Sequence, residues 1–377
     1  MYINGIKPRG YTDPNQVVWK SPSEYLKEGG NNQVPAFIID DLSSNEVKQG
    51  AIGDCWFIGA MSVVATKDEY LRGGAGFIEI DQNTIVNSNI AILLSKGVYP
   101  PIFHKFKLRN IYVLRFFKDF KWRYVFIDDR LPVSIASLEP VFASCRKSEE
   151  LWVPLIEKAY AKLFGCYETL ISGFIDDGVV DLTGLVCEKR TLQDKDGLFT
   201  ENVEEFWEFL IQNQEDGSLM GCSVAGGGTE SKVIIDGVNC GILSGHAYAI
   251  NDVFEVPGKV GKRSVHRILR IRNPWGRGEW NGKWSDESLE LEKYKEKLNE
   301  YINNLEEDER FILGDEDGTF LINYKEWRNV YNKLFIAIDF EPDWNSVRFE
   351  SAWTPSSSGG VPLAGTEEQK LSFIKNP

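Results

Sequence analysis

Cys55, His246 and Asn273 are the residues of this chain whose types and order suit covalent catalysis. Cys55 stands in "QGAIGDCWFIGA", residues 49–60, directly before Trp56 and where an amphipathic helical pattern begins. A cysteine in the first turn of a helix lies beside unpaired backbone N–H groups and the positive end of the helix dipole, which favour its thiolate. His246 follows Ser-Gly in "LSGHAYAIND", at the mouth of an apolar strand from which a ring can project over a cleft. Asn273 ends the strand "RIRNPWG", where Pro274 stops pairing and Trp275 follows. An asparagine oxygen can accept an imidazole N–H, fixing the tautomer and leaving the other ring nitrogen to exchange a proton with sulfur. Trp275 would shield that bond, and Trp56 is a second shielding or substrate-facing ring. Gln49, upstream of Cys55, adds an amide donor that with the Cys55 N–H would hold the oxyanion of a tetrahedral intermediate.

Each residue alone has a plainer reading. A cysteine is often a small buried hydrophobe, a histidine a satisfied structural ring, and "NPWG" a turn with a buried tryptophan. Together they supply what acyl transfer through a thioester needs, in the chain order of papain-like hydrolases. His104, among charged residues, and His266, in "SVHRILRIR", read as ordinary strand positions.

The elements that must position them follow from periodicity. From Cys55, Phe57, Ile58, Met61, Val64 and Ala65 recur at helical spacing until "RGG" at 72–74. The segment before it, "PAFIIDDLSSNEVK", predicts a short apolar strand and polar turn. "IYVLRFF" and "WRYVFIDDRLPV" predict strands, and "SEELWVPLIEKAYAKLF" a helix buried through Leu151, Leu155, Ile156, Ala159, Tyr160 and Leu163. After "VVDLTGLVCEKR" comes one more helix, "TENVEEFWEFLIQNQ", and then strands: "LMGCSVAG", "HAYAINDVFEV" and "SVHRILRIRNPWG". The charged run 285–310 predicts a solvated helix with acid–base pairs. The expected fold is α+β and two-lobed. A helix-rich first lobe with lead-in, 1–183, carries the nucleophile; an antiparallel β-rich second lobe spans 184–340; a Pro/Ser/Gly-rich segment, 341–377, begins a further domain.

Composition narrows the function classes. Lys and Arg number 42 against 56 Asp and Glu, a net charge of -14, which a phosphate backbone repels, so nucleic acid is not an expected partner. Surplus carboxylates suit a protein that gathers divalent cations. No apolar run is long enough to span a bilayer, and "MYINGIKPRG" lacks the apolar core of a secretion signal, so a cytoplasmic location is expected. The six cysteines are dispersed without a CxxC pair, and no GxxxxGK[ST] or GxGxxG sequence supports nucleotide binding.

In four ordered segments the sequence resembles the calpains, calcium-activated cysteine proteases of the cell interior. They are "FIIDDLSSNEVKQGAIGDCWFIGA", "LWVPLIEKAYAKLFGCYETLISG", "GHAYAI" and "RIRNPWGRGEWNGKWSD", within roughly residues 30–340. The tail "SAWTPSSSGGVPL" is similar to the start of the β-sandwich domain that follows the calpain core. The resemblance implies Gln49, Cys55, His246 and Asn273 as oxyanion donor, nucleophile, acid/base and orienter. It also implies one calcium ion per lobe. In the first lobe the ligands would be the carbonyls of Ile39 and Asp41 with the carboxylates of Glu46, which stands where the family has aspartate, and Glu168. In the second they would be Glu279, Asp286 and Asp317, with the main chain of Asp315; oxygen-only ligands are what this hard cation prefers. Thr319 replaces an expected glutamate and Ser44 its arginine partner, so the interlobe salt bridge is expected to be missing. The expected function is limited proteolysis of protein substrates. Its rivals are a calcium-responsive binding or scaffold protein with a silent core, and a transglutaminase-like acyl transferase that gives no reason for "NPWG".

Overall fold

A computed structural model describes residues 16–39, 46–67, 69–72, 98–99, 110–226, 230–258, 264–305, 310–314 and 317–338. Asp41, Ser44, His104, Asp315 and the segment 341–377 lie outside the described residues. The chain divides into two compact units, 1–339 and 340–377, and the described residues belong to the first.

The helix Cys55–Val64 opens where Asp54 bends the backbone, its carbonyl accepting from the N–H groups of Phe57 (2.8 Å) and Ile58 (3.1 Å). Every residue from Trp56 to Val64 is buried. The expected one-sided stripe is therefore corrected: the helix runs through the core, and a helix apolar all round is one enclosed on every side. It also stops at Val64; Glu69–Arg72 is a separate short helix. Small residues permit the enclosure. A Cβ on Gly59 would lie 3.2 Å from the Ala247 Cβ, and one on Gly178 would lie 2.7 Å from the Ala60 Cβ. The helix Ile175–Thr183, which carries Gly178, and the strand His246–Pro257, which carries Ala247, thus close on it from two directions. Phe57 stacks on Tyr160 of the helix Trp152–Phe164 at 3.8 Å between centroids. Full burial of each such side chain stabilises by roughly 1.5–3 kcal/mol before entropy is counted. The expected strand in "PAFII" is absent; Ala36 makes only an isolated bridge to Glu150.

The rest of the unit is built on a six-stranded antiparallel sheet. Its order is Thr319–Asn323, Val265–Arg272, His246–Pro257, Leu219–Val224, Lys333–Ile338, Val186–Thr191. Period-two alternation divides its faces. Leu219, Ala247, Ala249, Phe335 and Ala337 join the core around the Cys55 helix, whereas Met220, Tyr248, Ile250, Leu334 and Ile336 join a second core with Phe206, Trp207 and Trp327. The architecture is α+β, as expected. The charged run gives the helix Leu289–Asn304, N-capped where the Ser288 hydroxyl accepts from Leu291 N–H. It is not solvated all round: Leu291, Tyr294, Leu298 and Ile302 recur on one buried face, and the first three pack with Phe254, Val256, Ile268 and Leu321.

Candidate active site

His246 is the first residue of its strand. Gly245, at φ +68°, turns the chain into that position while its N–H donates to the Val224 carbonyl (2.8 Å), which seats the ring at the start of an interior strand beside the Cys55 helix. The ring is buried, and its Nε2 lies 2.9 Å from the Asn273 Oδ1. Asn273 is itself fixed: its Nδ2 donates to the Gly278 carbonyl (2.8 Å), its Oδ1 also accepts the Trp275 N–H (3.0 Å), and its N–H donates to the Gly318 carbonyl (2.7 Å). The Cys55 sulfur lies within 4.8 Å of a ring nitrogen of His246. Sulfur, imidazole and amide, expected from distant segments, meet.

Trp275 stands over this group, its ring 5.1 Å from that of His246 at 61°. Its Nε1 donates to Gln49 Oε1 (2.8 Å), while Gln49 Nε2 donates to the Ile52 carbonyl (2.8 Å) and Gln49 N–H to the Pro274 carbonyl (3.2 Å). The oxyanion donor expected at Gln49 is thus held by the residues that follow the orienting asparagine. Trp56 goes elsewhere. It is 8% exposed, donates from Nε1 to the Leu170 carbonyl (2.8 Å), and packs against Tyr160 and so close to Gly173 that a Cβ there would lie 2.3 Å from its ring. Its ring is a core element of the helical half and does not face substrate.

Two carboxyl groups that sequence reasoning missed alter the electrostatics. Glu230 Oε1 lies 3.1 Å from His246 Nδ1, and a Glu230 oxygen lies within 4.8 Å of the Cys55 sulfur. The thiol is not acidified as its helix position suggested. Burial, and then the negative charges of Glu230 and Asp54, push its pKa up to about 12. In this arrangement Cys55 is a thiol, and Glu230 occupies the side of the ring that proton exchange with sulfur requires.

The second is Asp54, fully buried beside Cys55 and paired with the buried Glu157 of the helix Trp152–Phe164. Apart from its own backbone N–H, the Asp54 carboxyl meets the Glu157 carboxyl, and two acids can share that contact only by keeping a proton between them. Glu157 also accepts the Ala143 N–H (3.0 Å). Burial raises both acids, Asp54 to about 7. For an acid raised in the fold, the folded state binds more protons than the unfolded one. The penalty is absent below the unfolded pKa of about 4, grows as pH rises, and is complete above about 7. Asp54→Asn keeps a donor toward Glu157 and removes the Asp54 titration. Its melting temperature relative to wild type is expected to climb between about pH 5 and pH 8, read by thermal melts; a difference constant across that range would refute the shared proton.

The carboxylates assigned to calcium are distributed unevenly. In the sheet half Glu279 and Asp286 share a hydrogen bond, and Gly318 N–H donates to Glu279 Oε1 (2.6 Å). Burial, and then Asp286, push Glu279 up to about 8. A half-buried acid pair that must keep a proton when no cation is present fits an oxygen-seeking divalent ion. Asp317 Oδ1 instead accepts the Thr319 N–H (2.7 Å), and its carbonyl accepts from Arg272 Nη1 (2.7 Å). Arg272, fully buried, also donates to Thr319 Oγ1 (3.2 Å) and, through Nη2, to the Val47 carbonyl of the helical half (3.2 Å). In that half Ile39 N–H donates to Glu150 Oε1 (2.9 Å), Glu46 Oε2 accepts the Lys147 N–H (3.3 Å), and Glu168 is half-buried on the turn Tyr167–Leu170. Among the described residues, the trio of potential metal-ligand side chains that converges within 4.8 Å is Cys55, Glu230 and His246. A cavity lined by His266, Arg267, Trp284, Tyr324 and Arg328 holds none of these groups. No helix among the described residues is long and apolar enough to cross a membrane.

Residues 5–338 match the family described as calpain family cysteine protease. The chain is similar to the calpain-type cysteine protease DEK1 of Arabidopsis thaliana, 30% identical over 362 residues that cover 95% of this chain and 14% of that protein. It is also similar to the calpain-2 catalytic subunit of Rattus norvegicus, 28% identical over 373 residues (96% and 45%), and the calpain-1 catalytic subunit of Homo sapiens, 29% over 387 (98% and 46%). The chain therefore spans less than half the length of these relatives.

Proposed function

The chain belongs to the calpain family of cysteine proteases, and on that premise we propose that it is a calcium-dependent endopeptidase that cleaves protein substrates at limited sites. The observation that carries this reading is the approach of the Cys55 sulfur to a ring whose Nε2 is held 2.9 Å from the Asn273 amide. In this reading Cys55 Sγ attacks the scissile carbonyl, forming a C–S bond as its proton passes to His246. The imidazolium gives that proton to the leaving amine as the C–N bond breaks. Water, deprotonated by His246, then cleaves the thioester and restores the thiol. Asn273 keeps the ring oriented, and the Gln49 amide with the Cys55 N–H faces the oxyanion, its plane fixed by the Trp275 donor. Glu230 must leave Nδ1 before the first step.

Glu279 and Asp286, with Asp317 beside them, would hold calcium in the sheet half, and Glu46 and Glu168 with the Ile39 carbonyl in the helical half; Asp41 and Asp315 complete the two sets by resemblance. Calcium bound there supplies positive charge among oxygen ligands, and favours one arrangement of the halves only as far as it binds that arrangement more tightly. The proposed lobes are 1–183 and 184–340, the segment 341–377 opens a further domain, and the proposed location is cytoplasmic.

The second reading, a calcium-responsive scaffold with a silent core, draws on Glu230 and the protonated thiol. Turnover of an unfolded protein substrate by the 377-residue chain, with calcium and with a chelator, separates the two. Cleavage that the chelator abolishes is expected; calcium binding without cleavage would favour the scaffold.

A further inference from the structure

The proposed mechanism leaves one group without a task. Glu230 brings a carboxylate, 12% exposed, against the fully buried ring of His246 and within 4.8 Å of the Cys55 sulfur. These are three chemically different donors, thiolate, imidazole nitrogen and carboxylate oxygen, whose ligand atoms all lie within 4.8 Å of one another. A second feature marks the imidazole as a prepared ligand. Its Nε2 faces the Asn273 oxygen at 2.9 Å, and Asn273 is itself held by Gly278 and Trp275. A metal-binding histidine is oriented in this way: the outer ring N–H donates to a fixed acceptor, and the inner nitrogen keeps its lone pair for the ion.

We propose that Cys55, His246 Nδ1 and Glu230 form a three-ligand site for Zn2+ that caps the nucleophile reversibly. Bond lengths of about 2.3 Å to sulfur and about 2.0–2.2 Å to nitrogen and oxygen place tetrahedral ligand atoms about 3.3–3.7 Å apart, so the trio tightens by about 1.5 Å at most. The fourth position takes water. On binding, the Sγ–H bond breaks and its proton goes to solvent as the S–Zn bond forms. The proton between imidazole and carboxylate is released likewise, and no electron changes hands. Calcium is a poor occupant, because it selects oxygen and this set offers one carboxylate beside sulfur and nitrogen. The site is therefore distinct from the proposed calcium positions at Glu279 and Asp286.

The inference uses the residues of the proposed catalytic site but not their activity, and its test is read without turnover. Co2+, a spectroscopic substitute for Zn2+, is titrated into the 377-residue chain in the presence of millimolar calcium. Thiolate-to-cobalt charge transfer and intense tetrahedral bands are expected, and Zn2+ should bleach them. Cys55→Ser should remove the charge-transfer band. Glu230→Gln should weaken cobalt affinity by about ten- to a hundredfold, since even outer partners of metal ligands are worth that much. Circular dichroism melts establish that each variant is folded, and Glu230→Asp, which keeps the carboxylate, should restore most of the affinity. Cobalt bands unchanged in Glu230→Gln, or displaced as readily by calcium as by zinc, would overturn the assignment. A chain that binds cobalt as described but cleaves nothing would leave this site standing and sink the protease reading alone.

Discussion

Cys55→Ala is expected to lower turnover of a protein substrate by about a hundred-thousandfold or more while leaving the fold intact. Loss of a nucleophile from a triad that acts as a unit has effects of this size, because the remaining members have nothing to activate. The fold should survive. Cys55 sits at the first turn of a helix anchored by nine buried residues, Trp56 to Val64, and alanine is the best helix former at an exposed or half-exposed position. The substitution removes only the sulfur of a half-exposed side chain, so thermal stability should stay within about 1 kcal/mol of wild type. The measurement is kcat from single-substrate progress curves, with melting temperature alongside. A variant that keeps more than a hundredth of wild-type turnover would remove Cys55 from the chemistry.

Gly50→Ala is expected to lower stability and turnover together by adding a single carbon. A Cβ at this position would lie 2.1 Å from the Phe142 carbonyl oxygen and 2.2 Å from its carbon. These are backbone atoms, so no side chain can swing aside. The segment they belong to is tied down on both sides. Val141 O accepts the Ala51 N–H (2.9 Å), the Phe142 ring stacks on Tyr167 at 4.1 Å, and Ala143 N–H donates to Glu157, the partner of Asp54. To relieve the overlap, residues 49–53 must lift away from 141–143. That displaces the Gln49 amide and loosens the Asp54–Glu157 pair behind Cys55. Overpacking of this kind costs typically 1–3 kcal/mol. Loss of one oxyanion donor costs about a hundred- to a thousandfold in kcat, and both should appear together. A Gly50→Ala variant with wild-type kcat and melting temperature would show that the approach of the two loops is not required.

Much of the site was legible because its signals are local. "GDCW" announces a helix start, Gly245 a turn into a strand, and Pro274 a strand end, and each places one reactive side chain at an element terminus. The alternation of Ala247 and Ala249 with Tyr248 and Ile250 likewise marks a strand covered on both faces. What escaped notice is pairing across long separations. Asp54 reads as an ordinary helix cap, and nothing near residue 54 indicates that Glu157 arrives beside it. Glu230 follows "AGGGT" with no periodicity to aim it, yet after burial its charge does most to keep the thiol protonated. The helix Cys55–Val64 was taken for amphipathic because a continuous apolar run satisfies a one-sided pattern as well as an all-sided one. The acidic helix Leu289–Asn304 shows the converse. Its charges dominate the composition, while Leu291, Tyr294, Leu298 and Ile302 are few enough to be overlooked.

The bonds that join residues 47–49 to residues 272–275 have a further consequence. Among them are Gln49 N–H to Pro274 O, Trp275 Nε1 to Gln49 Oε1, and Arg272 Nη2 to Val47 O. The two neutral bonds net about 0.5–1.5 kcal/mol each and the one from the Arg272 guanidinium about 1.5–3, and the same two segments carry the proposed oxyanion donor Gln49 and the proposed ring anchor Asn273. Unzipping that stitch costs far less than melting either hydrophobic core, and it would disturb both proposed roles at once. Parting these two segments would then silence the proposed chemistry from within the folded state, with both cores left whole.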